Sequence, residues 1–191
     1  MARVGRRPGA STSSADILAA ARRLFAERGY QATTVRAIAA AAGVTPAMIH
    51  HFYGSKRQVF LAAIRMPLDP VQVLGGMLDG PRAEFPERFV RTFVAAWTNP
   101  ETGPALRSMV RSAISDEEHA AALRAFASSV LLPSGAAALE LSQDRLAAAL
   151  SIMIGQAVAR SIIRIEQLAA LSDDEVVARY VPAVRAALWP E

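Results

Sequence analysis

Residues 39–56 read AAAAGVTPAMIHHFYGSK. The four alanines favour helix and carry little side-chain bulk. Gly43 interrupts them, as a turn needing positive φ requires. Thr45-Pro46 then restarts a helix, with a hydroxyl to accept from first-turn N–H groups and a proline that lacks a donor where none is needed. This helix is short, to about Phe52, and Gly54 stops it. Helix, glycine turn, short helix is the spacing of a helix-turn-helix. Two helices crossing steeply through so short a turn need small side chains where they touch, a role that suits the alanines. Val44 and Ile49 are then expected in the core. Thr45, Pro46, Ala47, Met48, His50 and His51 are expected on the outer face.

Upstream, Ile17, Leu18, Ala21, Leu24 and Phe25 recur on one helical face, with Arg22, Arg23 and Arg28 off it. Ser13 and Asp16 pair as a cap at its start, and Gly29 ends it. Either Thr33 or Thr34 caps a second helix containing Val35, Ile38 and Ala39. Downstream, Ser55 and Gln58 open a fourth helix through about Arg65. Met66-Pro67-Leu68-Asp69-Pro70 then marks a boundary. The division expected is a flexible basic arm over 1–12, a helix-turn-helix domain over 13–66 and a larger helical domain over 67–191.

In that larger part the spacing predicts helices over 70–79, 86–98, 102–115, 117–131, 143–167 and 173–188. Pro133-Ser134-Gly135 reads as a break, and Pro182 as a kink. No strand-like alternation persists, so the fold class expected is all-α. The 143–167 segment is apolar around most of its circumference and must be buried on more than one side. Its longest uncharged run, Leu146–Ala159, is 14 residues, too short to span a bilayer. No membrane partner is expected.

Charge separates the two parts. Residues 1–65 hold ten Lys/Arg against two acids (10 − 2 = +8), and the rest hold 11 against 15 (11 − 15 = −4). A basic first third points to a polyanion. The chain has no cysteine, so it makes no disulfide or thiolate metal site, which fits a reducing cytoplasm. No apolar run follows the N-terminal arginines, so they do not belong to a signal peptide. His50 and His51 point about 100° apart on a helix and make a poor metal pair. His119, among acids near a helix start, reads as solvated. Gly54-Ser55-Lys56 lacks the strand and long glycine loop of a phosphate-binding loop. No nucleophile, acid pair or metal cluster supports catalysis, and no cofactor is expected.

The partner that suits this chemistry is double-stranded DNA. A recognition helix reads base edges with its N-terminal residues while neighbouring groups hold phosphates. Here Thr45, Pro46, Ala47, Met48 and His50 would select bases. His50 and His51 can donate to phosphate, and Tyr53 offers a hydroxyl. Lys56 lies at the start of the fourth helix, where free N–H groups already favour an anion. Thr34 and Arg36, at the start of the second helix, would meet the backbone on the other side. Arg3, Arg6 and Arg7 in the arm would reach a minor groove.

Thr33–Lys56 (TTVRAIAAAAGVTPAMIHHFYGSK) resembles the DNA-binding signature of the tetracycline-repressor (TetR) family, and Ile17–Tyr30 (ILAAARRLFAERGY) is similar to that family's first helix. Ile49 and Lys56 match the family pattern, whereas His50 stands where tyrosine is common and Tyr53 where phenylalanine is common. The resemblance implies that Thr45, Pro46, Ala47, His50 and His51 face the groove and that Lys56 binds phosphate. Thr98–Ala113 (TNPETGPALRSMVRSA) resembles one effector-domain subgroup of the family. The same resemblance implies an Ω-shaped homodimer, joined through the last two long helices as a four-helix bundle.

Two features of the larger part are open between core and ligand site. Phe89, Phe93 and Trp97 lie at i, i+4, i+8, with Met109 in the next helix; they are either core or the wall of an apolar cavity. Gln156, Arg160 and Arg164 form a polar stripe, either exposed at a dimer rim or aimed at a polar or anionic ligand. The function expected is a ligand-relieved repressor on a near-palindromic operator, with an unknown small molecule as effector. The alternatives are an activator, a ligand-independent repressor, or a helical binding module with vestigial DNA binding.

Overall fold

The computed structural model describes residues 10–189, all of whose regular elements are helical. The expected arm residues Arg3, Arg6 and Arg7 lie outside that range. The chain divides into two compact units, described separately. The first takes the chain up to Met66 together with 113–126; the second takes 67–112 and 127 onward.

In the first unit, α1 spans Ala10–Ala32, α2 Val35–Ala41, α3 Pro46–Tyr53 and α4 Lys56–Ala63. The helix Glu117–Phe126, α8 in chain order, joins them. The first helix starts at Ala10, so Ser13 lies within it and is not its cap: no breaker separates 10–12 from the helix that follows. Gly29, at φ 75° and ψ 170°, interrupts α1 as expected. That conformation is essentially closed to residues with a Cβ. Both threonines after it are used. Thr34 caps α2, accepting from Ala37 N at 3.1 Å. Thr33 is fully buried, and its hydroxyl lies 3.0 Å from Leu24 O and 2.8 Å from Gly29 O.

Packing in this unit centres on α1, which contacts α2, α4 and α8. Ile17, Ala21, Leu24 and Phe25 supply its buried face. Phe25, Tyr30, Phe60 and Phe126 form a connected aromatic cluster. Phe60 stacks on Phe126 at 4.6 Å between centroids, and Phe25 meets Phe60 edge-on at 5.0 Å. Such pairs add to plain area burial. Because Phe126 belongs to α8, a segment more than fifty residues beyond Met66 completes this core.

In the second unit, α5 is Pro70–Met77, α6 Phe85–Thr98, α7 Thr102–Ser115 (which runs on past the unit boundary), α9 Leu132–Leu139, α10 Gln143–Ala157, α11 Glu166–Ala169 and α12 Asp173–Leu188. Its core brings together Phe85, Phe89, Val90 and Val94 of α6, Leu146, Ala149 and Met153 of α10, and Val176, Val177, Val184 and Leu188 of α12.

Pro133-Ser134-Gly135 does not break the chain. A π-helical turn at Ala127–Leu131 leads into α9, and Pro133 sits in the first turn of α9, where a missing N–H is harmless. Gly135 serves close packing instead of a turn: a Cβ there would come within 2.5 Å of Leu146 and 2.7 Å of Leu74. The 143–167 segment is likewise not one regular helix. It widens to a π-helix at Val158–Ile163, and Arg164 ends it in the left-handed region at φ 62°. Ile165 N donates to Ala159 O across that end at 3.0 Å. The helix α12 continues through Pro182, which is exposed.

By length and composition alone, the runs Glu117–Leu139 (23 residues) and Gln143–Ile163 (21 residues) are long and apolar enough to cross a membrane. That is longer than the uncharged 14-residue run suggested, because isolated arginines do not end these helices. The apolar residues of α10 divide between a buried face (Leu146, Ala149, Met153) and an exposed face that includes Ile154 and Gly155.

Candidate nucleic-acid interface

The turn between α2 and α3 is closed by Gly43 N donating to Ala40 O (3.3 Å) and Val44 N donating to Ala39 O (3.0 Å), with Gly43 at φ 66°. Of the four alanines, only Ala39 is buried. Ala42 is half-buried, and Ala40 and Ala41 are exposed, so contact explains part of the run and helix propensity the rest. Ile49 is 1% exposed and anchors α3; Val44 is half-buried.

Thr45 caps α3, accepting from Met48 N at 3.3 Å, which leaves its hydroxyl proton free to donate. Pro46, Ala47, Met48, His50 and His51 are all exposed, as expected. Thr34 and Arg36 are exposed at the start of α2, and Arg36 has no ion pair among the described residues. His50 is partly committed: its Nδ1 lies 2.9 Å from Gly54 O, which requires the proton on Nδ1. The neutral ring then offers Nε2 only as an acceptor, and donation to phosphate from Nε2 requires protonation.

Two expectations are redirected by side-chain geometry. Tyr53 is half-buried and its hydroxyl reaches back to Ser14 Oγ at 2.8 Å, tying α3 to α1. The ammonium of Lys56 turns inward as well. It donates to Tyr30 O at 2.8 Å, Thr33 O at 3.0 Å and Gln31 O at 3.4 Å, and sits 4.4 Å from the centroid of the Tyr30 ring. Burial lowers its pKa from the ordinary lysine value. Neither group is left on the face that α3 presents.

Phe52 is the residue missed in the sequence reading. It is 37% exposed, equal to Met48, and the two lie at i and i+4 on the outer side of α3. The ring of His51 meets Phe52 edge-on at 5.6 Å. The signal was present: a large aromatic one helical turn after an outward methionine shares its face. The outer side of α3 is therefore largely apolar, with hydroxyl and imidazole groups at intervals. Thymine methyls suit such a surface better than guanine edges, which call for arginine or lysine.

In the second unit, Phe93 is half-buried and stacks on buried Trp97 at 6.0 Å. Met109 is half-buried. The polar stripe expected on the 143–167 helix does not form. Gln156 is only 6% exposed, because it continues the Leu146–Ala149–Met153 face. Arg160 is committed to the start of α12, donating to Leu171 O at 2.7 Å and Asp173 Oδ1 at 2.9 Å. It ties the end of this helix to the start of α12. Arg164 falls out of register after the π-helical turn. His119 is also less solvated than expected, with Nδ1 3.2 Å from Asp116. Among the described residues no His, Cys, Asp or Glu group is placed to hold a metal ion.

Residues 17–63 match the family described as bacterial regulatory proteins, tetR family. Residues 83–188, more than half of the chain, match the tetracyclin repressor-like C-terminal domain. The chain belongs to the TetR family of transcriptional regulators. A TetR-family regulator of known structure from Streptomyces coelicolor A3 is 33% identical, over 96% of this chain and 98% of that one, with a TM-score of 0.44. The HTH-type transcriptional repressor AcnR of Corynebacterium efficiens is 40% identical over 79 residues, 36% of this chain and 42% of AcnR. The HTH-type transcriptional regulator BetI of Rhizobium meliloti is 48% identical over 46 residues, 24% of this chain and 23% of BetI. The chain thus spans less than half the length of these two curated relatives. Its helix-turn-helix lies in the part that matches the family's DNA-binding regulators.

Proposed function

We propose that the protein is a homodimeric, ligand-relieved repressor that binds a near-palindromic operator in the cytoplasm. The observation that carries this reading is the outer face of α3, where Thr45, Ala47, Met48, His51 and Phe52 stand exposed over a buried Ile49 anchor in a strongly basic part of the chain. Two such helices, one per protomer, would enter successive major grooves and impose two-fold symmetry on the site. Arg36, Thr34 and His51 would hold phosphates and make affinity fall steeply with salt. Thymine methyls and DNA shape would carry much of the selectivity.

Support for the dimer comes from the outer faces of the last two long helices. Ala148, Ser151, Ile154 and Gly155 are exposed on α10, and Ala178, Pro182 and Ala186 are exposed at i, i+4, i+8 on α12. Small and apolar side chains in such stripes suit close helix–helix contact with a second copy. Repression is favoured over activation by the relative AcnR, which is a repressor. An effector bound in the second unit would relieve repression by as much as it prefers a dimer with misplaced recognition helices.

The test is selection of genomic DNA fragments by the purified protein at two salt concentrations, followed by sequencing. A two-fold symmetric motif, enriched at low salt and depleted at high salt, is expected. Recovery of DNA without a shared motif at either concentration would overturn the reading.

A further inference from the structure

The chain has a single lysine, Lys56, and the family pattern suggests that it binds a DNA phosphate. Its surroundings point elsewhere. Gly29 kinks α1, and a short turn then leads from the end of that helix to α2, which begins at Val35. The carbonyls of Tyr30, Gln31 and Thr33 in that stretch converge on one ammonium that carries three N–H donors. The Tyr30 ring, itself buried, covers that ammonium at 4.4 Å. On the other side of the same turn, the buried Thr33 hydroxyl reaches Leu24 O and Gly29 O. Thr34 follows immediately and caps α2. A cation at the C-terminal end of α1 is also favoured by the helix dipole.

We propose that Lys56 is a positioning residue for DNA binding. Its ammonium fastens the 30–33 turn, and so sets where Thr34 and Arg36 stand relative to α3; it does not itself contact a phosphate. This rests on the DNA-binding reading given above, although the fastening can be tested without DNA. Turning Nζ outward would release three carbonyls and a ring face in exchange for one screened phosphate contact. Lysine suits the role because its three donors diverge from a point, whereas a planar guanidinium cannot aim at three carbonyls around one centre.

The experiment compares the full-length wild type with Lys56→Met and Lys56→Arg, at a temperature where circular dichroism shows all three folded. Hydrogen exchange at residues 34–38 in the absence of DNA is expected to quicken about tenfold in both variants, close to the loss of one weak charged hydrogen bond. On the operator, both variants are expected to bind about tenfold more weakly, with the slope of log K against log[salt] unchanged. A phosphate ligand would behave differently: Lys56→Arg would bind like wild type, and Lys56→Met would lower the slope by about 0.9. That pattern, or unchanged exchange at 34–38, would overturn the proposal. If the wild type selects no DNA motif, the repressor reading fails, and exchange alone decides on the fastening. Should Lys56→Met not fold, Lys56→Arg supplies both readouts.

Discussion

Replacing Phe126 by alanine tests whether α8 is part of the DNA-binding unit. Phe126 is 1% exposed, stacks on Phe60 at 4.6 Å and meets Tyr30 edge-on at 5.9 Å. Phe→Ala at a buried site costs about 3–5 kcal/mol, the spread depending on how far the site collapses. The two ring contacts, at about 0.5–1.5 kcal/mol each, are contained in that figure. For a chain of this length each kcal/mol lowers Tm by roughly 2–4 °C, so a fall of about 10 °C is expected. Phe52→Ala removes the same atoms from an exposed ring of α3 and serves as the control, with a Tm change within about 2 °C. Thermal unfolding followed by circular dichroism reads both, and operator affinity at 20 °C completes the comparison. Phe126→Ala should then lose stability first, and Phe52→Ala should lose affinity or change base preference while remaining stable. Equal Tm values for the two variants would refute the reasoning, because the aromatic cluster would not be holding α8 to α1 and α4.

Three further outcomes follow from individual positions. Gly29→Ala forces a Cβ into φ 75°, ψ 170°, although nothing lies within 4 Å of it; the cost is therefore purely backbone, about 1–3 kcal/mol, read as a lower urea midpoint with unchanged slope. Thr33→Val keeps the shape and removes the hydroxyl bonded to Leu24 O and Gly29 O; about 1–2 kcal/mol of destabilisation is expected by the same measurement. Below about pH 4.5 the protein should lose stability through Glu175. Its carboxylate accepts from Ser172 N and Oγ at 2.7 and 2.8 Å, which holds its pKa below the ordinary 4.5. A depressed folded pKa gives stability that is present above the unfolded value and lost as pH falls through the folded one. Glu175→Ala should flatten the profile of Tm against pH at its acidic end.

Much of the first unit was legible because its signals are local. Gly43, Gly54 and Gly29 sit where φ must be positive, and Thr34, Thr45 and Ser55 each accept from an N–H three residues on. Such choices are made within one turn of chain, and one turn of sequence records them. The apolar period of α1 likewise identified Ile17, Ala21, Leu24 and Phe25 as buried. Less was legible where a residue's role depends on a distant partner. Pro133 and Gly135 have the composition of a turn, yet they lie in a helix, because the π-helical turn before them and the side chains of Leu74 and Leu146 decide their environment.

The sequence by itself determined the all-helical class, the helix-turn-helix and most of the outer face of α3, since helix period and caps depend on neighbours three or four residues away. Only the tertiary structure decided where long polar side chains end. Lys56 reaches carbonyls more than twenty residues upstream, Tyr53 reaches Ser14, and Arg160 reaches the start of α12. Likewise, only the folded chain brings Phe126 of α8 onto Phe60 of α4. A flexible side chain carries no periodic mark of its target. Its bond is set by which unsatisfied carbonyl, hydroxyl or carboxylate the packed helices leave within reach.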